Sequence, residues 1–151
     1  KISSNFSVYR LVITDYVPRT DNTGLTMTFS TDNGATYLNS NYKWLFFFHS
    51  AGGVNSGTVV SDSDSSITLQ VVLSSTTSNS CSLDMSLYNL NSSVFSPLAV
   101  GTLTMYASSS DMNSSNFVGC NTTTTPINAI KLASSSGNLD GTFTLFGSTD
   151  G

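Results

Sequence analysis

The sequence predicts an all-β chain: an antiparallel β-sandwich of eight to ten short strands, with a jelly roll as the arrangement the strand spacing favours. Composition is the first reason. Only 9% of the 151 residues are charged, and all nine acidic residues are Asp, whereas helices build their exposed faces from Glu, Lys, Ala and Leu. Ser, Thr and Asn take the surface positions instead. These residues compete with helical backbone bonding and suit strands and turns. Period is the second reason. Apolar residues alternate with polar ones in stretch after stretch, roughly 8–14 residues apart, with turn chemistry between. No helical period runs beyond a turn or two.

Phe6 to Tyr16 sets Tyr9, Leu11 and Ile13 on one side and Phe6, Val8 and Val12 on the other. It reads as a central strand covered on both faces, ended by Val17 and Pro18 because proline cannot donate to the ladder. Leu25, Met27 and Phe29 alternate with Thr26, Thr28 and Ser30, as in a strand with one wet face. Asn33 and Gly34 both accept positive φ, so a hairpin turn is expected there, with a return strand near Ala35 to Tyr37. Tyr42 to His49 is the most apolar stretch, with Tyr42, Trp44, Phe46 and Phe48 on one side. Thr58 to Ser61 is a short strand at best, and Asp62 to Ser66 a turn. Ile67, Leu69, Val71 and Leu73 alternate with Thr68, Gln70 and Val72, and Cys81, Leu83, Met85 and Leu87 make another clean alternation. Leu98 to Tyr106 is a further strand, and Ser108 to Asn116 reads as loop. Asn128 to Gly147 reads as a closing hairpin with a polar bend from Ser136 to Gly141. Together these fit one domain over residues 1–151, and a chain this long buries about 70% of its unfolded surface without needing a metal or disulfide. The first residue is Lys1, compatible with a processed chain or with one domain of a longer one.

The same residues narrow the chemistry. The basic residues are Lys1, Arg10, Arg19, Lys43 and Lys131, in a chain of net charge −4. They are too scattered for the patch that nucleic acid requires. No apolar run approaches the ~20 residues of a membrane-spanning helix. Cys81 and Cys120 are not in a metal spacing; they fit either one disulfide closing a long loop or two buried thiols. His49 is the only histidine, and no spacing identifies a group to orient it as a base, so it reads as a surface or structural side chain. Asp62 and Asp64 resemble a fragment of a calcium loop, but calcium wants six to eight oxygens and a solvated turn is the simpler reading. Tyr42 and Trp44 are the candidates for an exposed ring platform that stacks on sugar, although an alternating aromatic strand is more often core. Asn5, Asn91, Asn113 and Asn121 stand in glycosylation sequons, which so Asn-, Ser- and Thr-rich a chain produces by chance. No catalytic residue, metal site or cofactor is expected.

One resemblance rests on the order of features. Tyr9 to Pro18 is followed by Leu25 to Tyr37, with Phe29, Ser30, Asp32 and Gly34 in a Phe-Ser-x-Asp-x-Gly pattern, then by Tyr42 to Trp44 and Leu87 to Asn89. The chain closes on Asn128 to Leu132, Ser135 to Asn138 and Gly141 to Gly147. This order resembles a group of tailed-bacteriophage virion proteins, the tail-fibre or capsid-associated proteins of environmental phages. The likeness covers most of the chain. It is strongest at the two hairpin patterns and weakest between Val54 and Ser80. Relatives commonly end in Leu-Tyr-Gly, where this chain has Phe146 and four further residues, and the segment with Cys81 and Cys120 finds no counterpart. The resemblance implies a non-enzymatic β-sandwich on the virion surface. It implies a homo-oligomer, with the trimer of fibre and spike domains as the leading form, that meets other virion proteins and a host-surface glycan. The rival expectation is an extracellular carbohydrate-binding module or adhesin.

Overall fold

The computed structural model describes residues 2–51, 56–73, 75, 81–106 and 112–149. These residues form ten strands and no helix, all paired antiparallel, in two sheets. The strands are β1 (Val8–Pro18), β2 (Thr23–Ser30), β3 (Tyr42–Ser50), β4 (Ser56–Asp64) and β5 (Ile67–Leu73) in the first half. The second half holds β6 (Cys81–Tyr88), β7 (Leu98–Tyr106), β8 (Met112–Asn121), β9 (Ala129–Ser134) and β10 (Leu139–Ser148). The large sheet has the order β10-β1-β6-β7-β8-β3-β4 and the small one β5-β2-β9. The β-sandwich expected from composition and period is therefore the observed fold, divided seven and three.

The core lies between the layers and follows the alternation. From the large sheet come Tyr9, Leu11, Ile13, Leu83, Met85, Leu87, Leu103, Phe117 and Phe46, and from the small sheet Leu25, Met27, Phe29, Ile67 and Leu69, all buried. Each such side chain stabilises the fold by about 1.5–3 kcal/mol when fully withdrawn from water. At one contact between the layers a side chain on one sheet is matched by a glycine on the other. Ile67 fills the space above Gly119, and a Cβ there would meet the Ile67 side chain at 2.5 Å.

Five sequence expectations are corrected. Only the inner face of β1 is covered, because the small sheet lies on one side alone; Arg10 and Thr14 face solvent. Asn33 and Gly34 do make a positive-φ turn, at 63° and 88°, but no return strand pairs with β2. The chain crosses to the large sheet instead, and β3 pairs with β4 and β8. Ser56–Asp64 is a nine-residue strand rather than a short strand and turn; as an edge strand it is mostly exposed and so carries little apolar signal. Of the loop expected from Ser108 to Asn116, residues 108–111 lie outside the described residues and 112–116 open a strand, Met112–Asn121, whose inner face of Ser115, Phe117 and Gly119 alternates only weakly in polarity. The closing segment is not a hairpin. β9 pairs with β2 and β10 with β1, so the bend between them carries the chain from one layer to the other.

Register irregularities move one further residue. Pairing of β2 with β5 shifts twice, between Thr23 and Leu25 and again before Thr26. The bulge turns Gln70 inward, where its Nε2 donates to Ser115 Oγ at 3.1 Å across the sandwich. A buried amide must be paired in this way, or its desolvation costs about 1–3 kcal/mol.

Candidate functional site

The aromatic strand is the natural place to look for a binding surface. Tyr42 and Trp44 were the ring candidates, and the structure withdraws the first. Tyr42 is 0% exposed. Its hydroxyl accepts the Phe29 N–H at 2.7 Å and donates to the Leu38 carbonyl at 3.3 Å, so it ties the two layers together and offers no face to a sugar. Trp44 is half-buried. Its ring stacks on Phe46 at 5.8 Å and 12°, and its Nε1 donates to Asp64 at 3.1 Å. Trp44, Phe46 and Phe48 thus run as a ladder along the inner face of β3, as the core reading of this alternation requires.

The outward face of the same strand carries a different surface. Register places Val100, Val118, Leu45 and Val60 side by side across β7, β8, β3 and β4. Val60 is 67% exposed, and Val100, Val118 and Leu45 are partly so. Phe47 adds an exposed ring in the next row, beside Asn116 and Thr58. Around this row lies an open groove of about 610 Å³ lined by Lys43, Leu45, Val60, Asp62, Val118 and Cys120. Its floor is aliphatic. Lys43 and Asp62 bring opposite charges without pairing with each other; the ion pairs among the described residues are Arg10 with Asp84 and Arg19 with Asp140. Such a groove can bury an apolar surface from a partner. The sequence signal for it, Val100 and Val118 standing at outward positions, was readable only once β8 was known to be a strand.

The cysteines are not bonded to each other. Cys81 lies on the inner face at one end of β6, and Cys120 on the outer face at the far end of β8, in register with Leu98 and Tyr88. Seven residues of strand separate their levels, about 23 Å, well beyond the ~7 Å Cα limit of a disulfide. The disulfide alternative is therefore corrected to two free thiols. Burial pushes the Cys81 thiol up to about 12 and, beside it in register, the Tyr16 phenol up to about 12.

The remaining candidates do not converge. His49 is exposed near the end of β3, in register with Ser56 and Ser114 and with no carboxylate opposite. Asp62 faces solvent while Asp64 holds Trp44, so the two carboxylates do not face one ligand. Among the described residues no three His, Cys or Asp side chains gather as a metal site. Asn91 and Asn121 spend their side-chain N–H groups on Ser3, Phe6 and Ser40 carbonyls, whereas Asn5 is exposed. Arg10 meets Asp84 through two hydrogen bonds on the outer face of the large sheet, and that bonding holds the Asp84 carboxyl below its usual range.

Comparison with models of protein families, with curated proteins and with solved structures finds no match to this chain.

Proposed function

We propose that this protein is a non-enzymatic structural or attachment protein of a bacteriophage particle, such as a tail-fibre, spike or head-decoration domain. It acts on the virion surface as a homo-oligomer among other virion proteins. The observation that carries the reading is the aliphatic row Val100, Val118, Leu45 and Val60 across the outward face of the large sheet. The rest of the exposed chain is largely Ser, Thr and Asn, with two of its few charges spent in each bidentate ion pair. A surface that is mildly acidic and largely polar, interrupted by exposed apolar side chains that this row gathers side by side, suits a component that must stay soluble alone and be covered in an assembly. The order of sequence features that resembles virion proteins supports the same reading.

An extracellular carbohydrate-binding module or adhesin is less well supported, since the ring it would use first, Tyr42, lies in the core. The deciding experiment is mass spectrometry and immunogold microscopy of purified particles, using antibody raised against this chain. Stoichiometric labelling at one particle feature is expected. Absence from the particle, together with saturable binding of one sugar by a stable monomer on a glycan array, would overturn the proposal.

A further inference from the structure

The large sheet ends in two edge strands that are built differently. β4 carries Asp62 and Asp64 in its last three residues, neither of them in an ion pair among the described residues, so a strand added at that end meets uncompensated charge. β10 runs for ten residues with Asp140 as its only charge, and that carboxylate is held by Arg19 Nε and Nη2 at 2.8 and 3.0 Å. It has no Lys and no Pro. Among the described residues no strand pairs with its free side, nor with the free side of β9. Both free edges stand on the same flank of the sandwich, and between them the layers part. Ile2, Leu11, Ile130, Leu132, Phe143 and Leu145 line an apolar cleft of about 290 Å³ there. Phe143 and Leu145 are 40% and 41% exposed although they sit on the inner face of their sheet. The only cation of β9, Lys131, leans over the Tyr37 ring at 5.5 Å and does not line the cleft.

From this we infer that the β9–β10 flank is the contact surface for a second copy of the chain, with β10 pairing antiparallel with its counterpart across a twofold axis. The inference rests on reading the protein as an oligomeric particle component and names the surface that makes the oligomer. A twofold axis normal to the sheet keeps inner positions opposite inner positions, which limits the registers. An axis through Thr144 sets each Phe143 against the other copy's Leu145 and each Phe146 against a Thr142. Both apolar inner residues are then covered, and Asp140 falls opposite Ser148, so the two Asp140 carboxylates lie about 27 Å apart along the strands. A ten-residue strand rises about 33 Å and two layers with their side chains stand about 20 Å high, so the flank offers about 700 Å² per copy, near the ~800 Å² of a stable interface. An isologous contact of this kind makes a dimer, in place of the trimer implied by the resemblance.

Light scattering on the whole chain tests the assembly, and cysteine crosslinking tests the surface. The expected mass is about twice the 16.0 kDa of the chain. In a Cys120→Ser background, Thr144→Cys is expected to crosslink between copies under mild oxidation, while Thr58→Cys on β4 is not. Leu145→Lys is expected to halve the mass while keeping the β circular-dichroism spectrum and a cooperative melt; should it fail to fold, the Thr144→Cys crosslink decides. A monomer at high concentration overturns the inference, as does a crosslink at position 58 alone or an oligomer that Leu145→Lys leaves intact. These outcomes separate from the particle reading. A dimer through β10 that is missing from purified particles sinks only the virion assignment, and a particle protein that assembles without β10 sinks only the flank.

Discussion

The two edges of the seven-stranded sheet show how a sandwich finishes one side and leaves the other unfinished. At β4 the inner position opposite Phe48 is Gly57, and the Phe48 ring lies over it, so closely that a Cβ would meet ring atoms at 2.9 Å. Trp44 reaches Asp64 on the same strand, and β5 packs over β3 and β8 just behind. The edge is roofed by a ring at its Gly57 end and charged at its other end. At β10 the Phe6 ring likewise lies over Gly147 at one end, but the inner positions before it hold Phe143 and Leu145, large side chains left about two-fifths exposed, and the single charge is already neutralised. Large apolar residues placed where nothing covers them are a surface for another chain; a glycine roofed by a ring is not.

The hardest test of this contrast removes the unfinished side altogether. Truncation before Asn128 deletes β9 and β10, which belong to different sheets. It strips the small sheet to two strands and uncovers β1 along its whole length. Cooperative unfolding should disappear, as seen in thermal melts by circular dichroism. A shortened chain that stays soluble and melts cooperatively would mean the core sits wholly on the β4 side.

A finer test compares one ring from each side. Phe46→Ala, at a 0% exposed position, should cost about 3–5 kcal/mol in denaturant unfolding, the range for a buried Phe that leaves a cavity. Phe143→Ala should cost about 1–2 kcal/mol in dilute protein, because part of the ring is already in water. Equal losses at the two positions would erase the distinction between the edges. If copies associate through β10, the melting temperature of the wild type also rises with protein concentration, and Phe143→Ala should weaken that dependence where Phe46→Ala does not.

What the sequence disclosed follows the same division. Strands with a strong inside–outside alternation were legible: β2 from Leu25, Met27 and Phe29, β6 from Cys81 to Leu87, and the inner rings of β3. Those at or near an edge, or with small inner residues, were not. β4 is exposed on both faces and shows no period. The first half of β8 reads as loop because Ser115 occupies an inner position where an apolar side chain signals a strand. Turn chemistry was read correctly at Asn33 and Gly34, but a turn fixes only local direction. Whether the chain returns as a hairpin or crosses to the other layer depends on partners far away, and the error recurred at the bend between β9 and β10. The candidate surfaces were hidden for that reason. The outward row of Val100, Val118, Leu45 and Val60 exists only in the register of four strands, and the cleft at β10 exists only because two strands expected to pair stand in different sheets.

On the finished side, the Tyr42 hydroxyl ties the layers together, beside the bond from Gln70 to Ser115. Tyr42→Phe leaves the ring in place and removes the acceptor for the buried Phe29 N–H. The expected loss is about 1–3 kcal/mol, the desolvation penalty of an unpaired buried donor. Amide exchange at Phe29 locates it: that proton should exchange faster in the variant, while Phe117 on the next strand keeps its protection. An unchanged Phe29 amide would show that the Tyr42 hydroxyl does not hold the layers together.

The smallest effect concerns the loop that anchors the unfinished side. β9 is preceded by Asn128, whose N–H donates to the Ser30 carbonyl at 2.9 Å, while its side chain donates to the Thr31 carbonyl at 2.8 Å and accepts from the Asn33 N–H at 2.7 Å. The loop is shaped by Asp32, which accepts from the Thr36 hydroxyl at 2.6 Å, the Thr36 N–H and the Ser30 hydroxyl. These bonds, led by that of the Thr36 hydroxyl, lower the Asp32 carboxyl from the ordinary 3.8 to about 2. Its folded value lies below its unfolded one. The stabilisation is therefore complete above pH 3.8 and is lost as pH falls through about 2. A carbon-detected titration should place the wild-type midpoint near 2, and in Thr36→Ala the midpoint should rise part of the way back, since the Thr36 N–H bond remains. In each protein the Asn33 amide resonance should move with that protein's own Asp32 midpoint, because it reports the contact with Asn128. An Asn33 resonance that ignores the titration of Asp32 would uncouple this loop from β9 and leave the flank anchored by the β2 pairing alone.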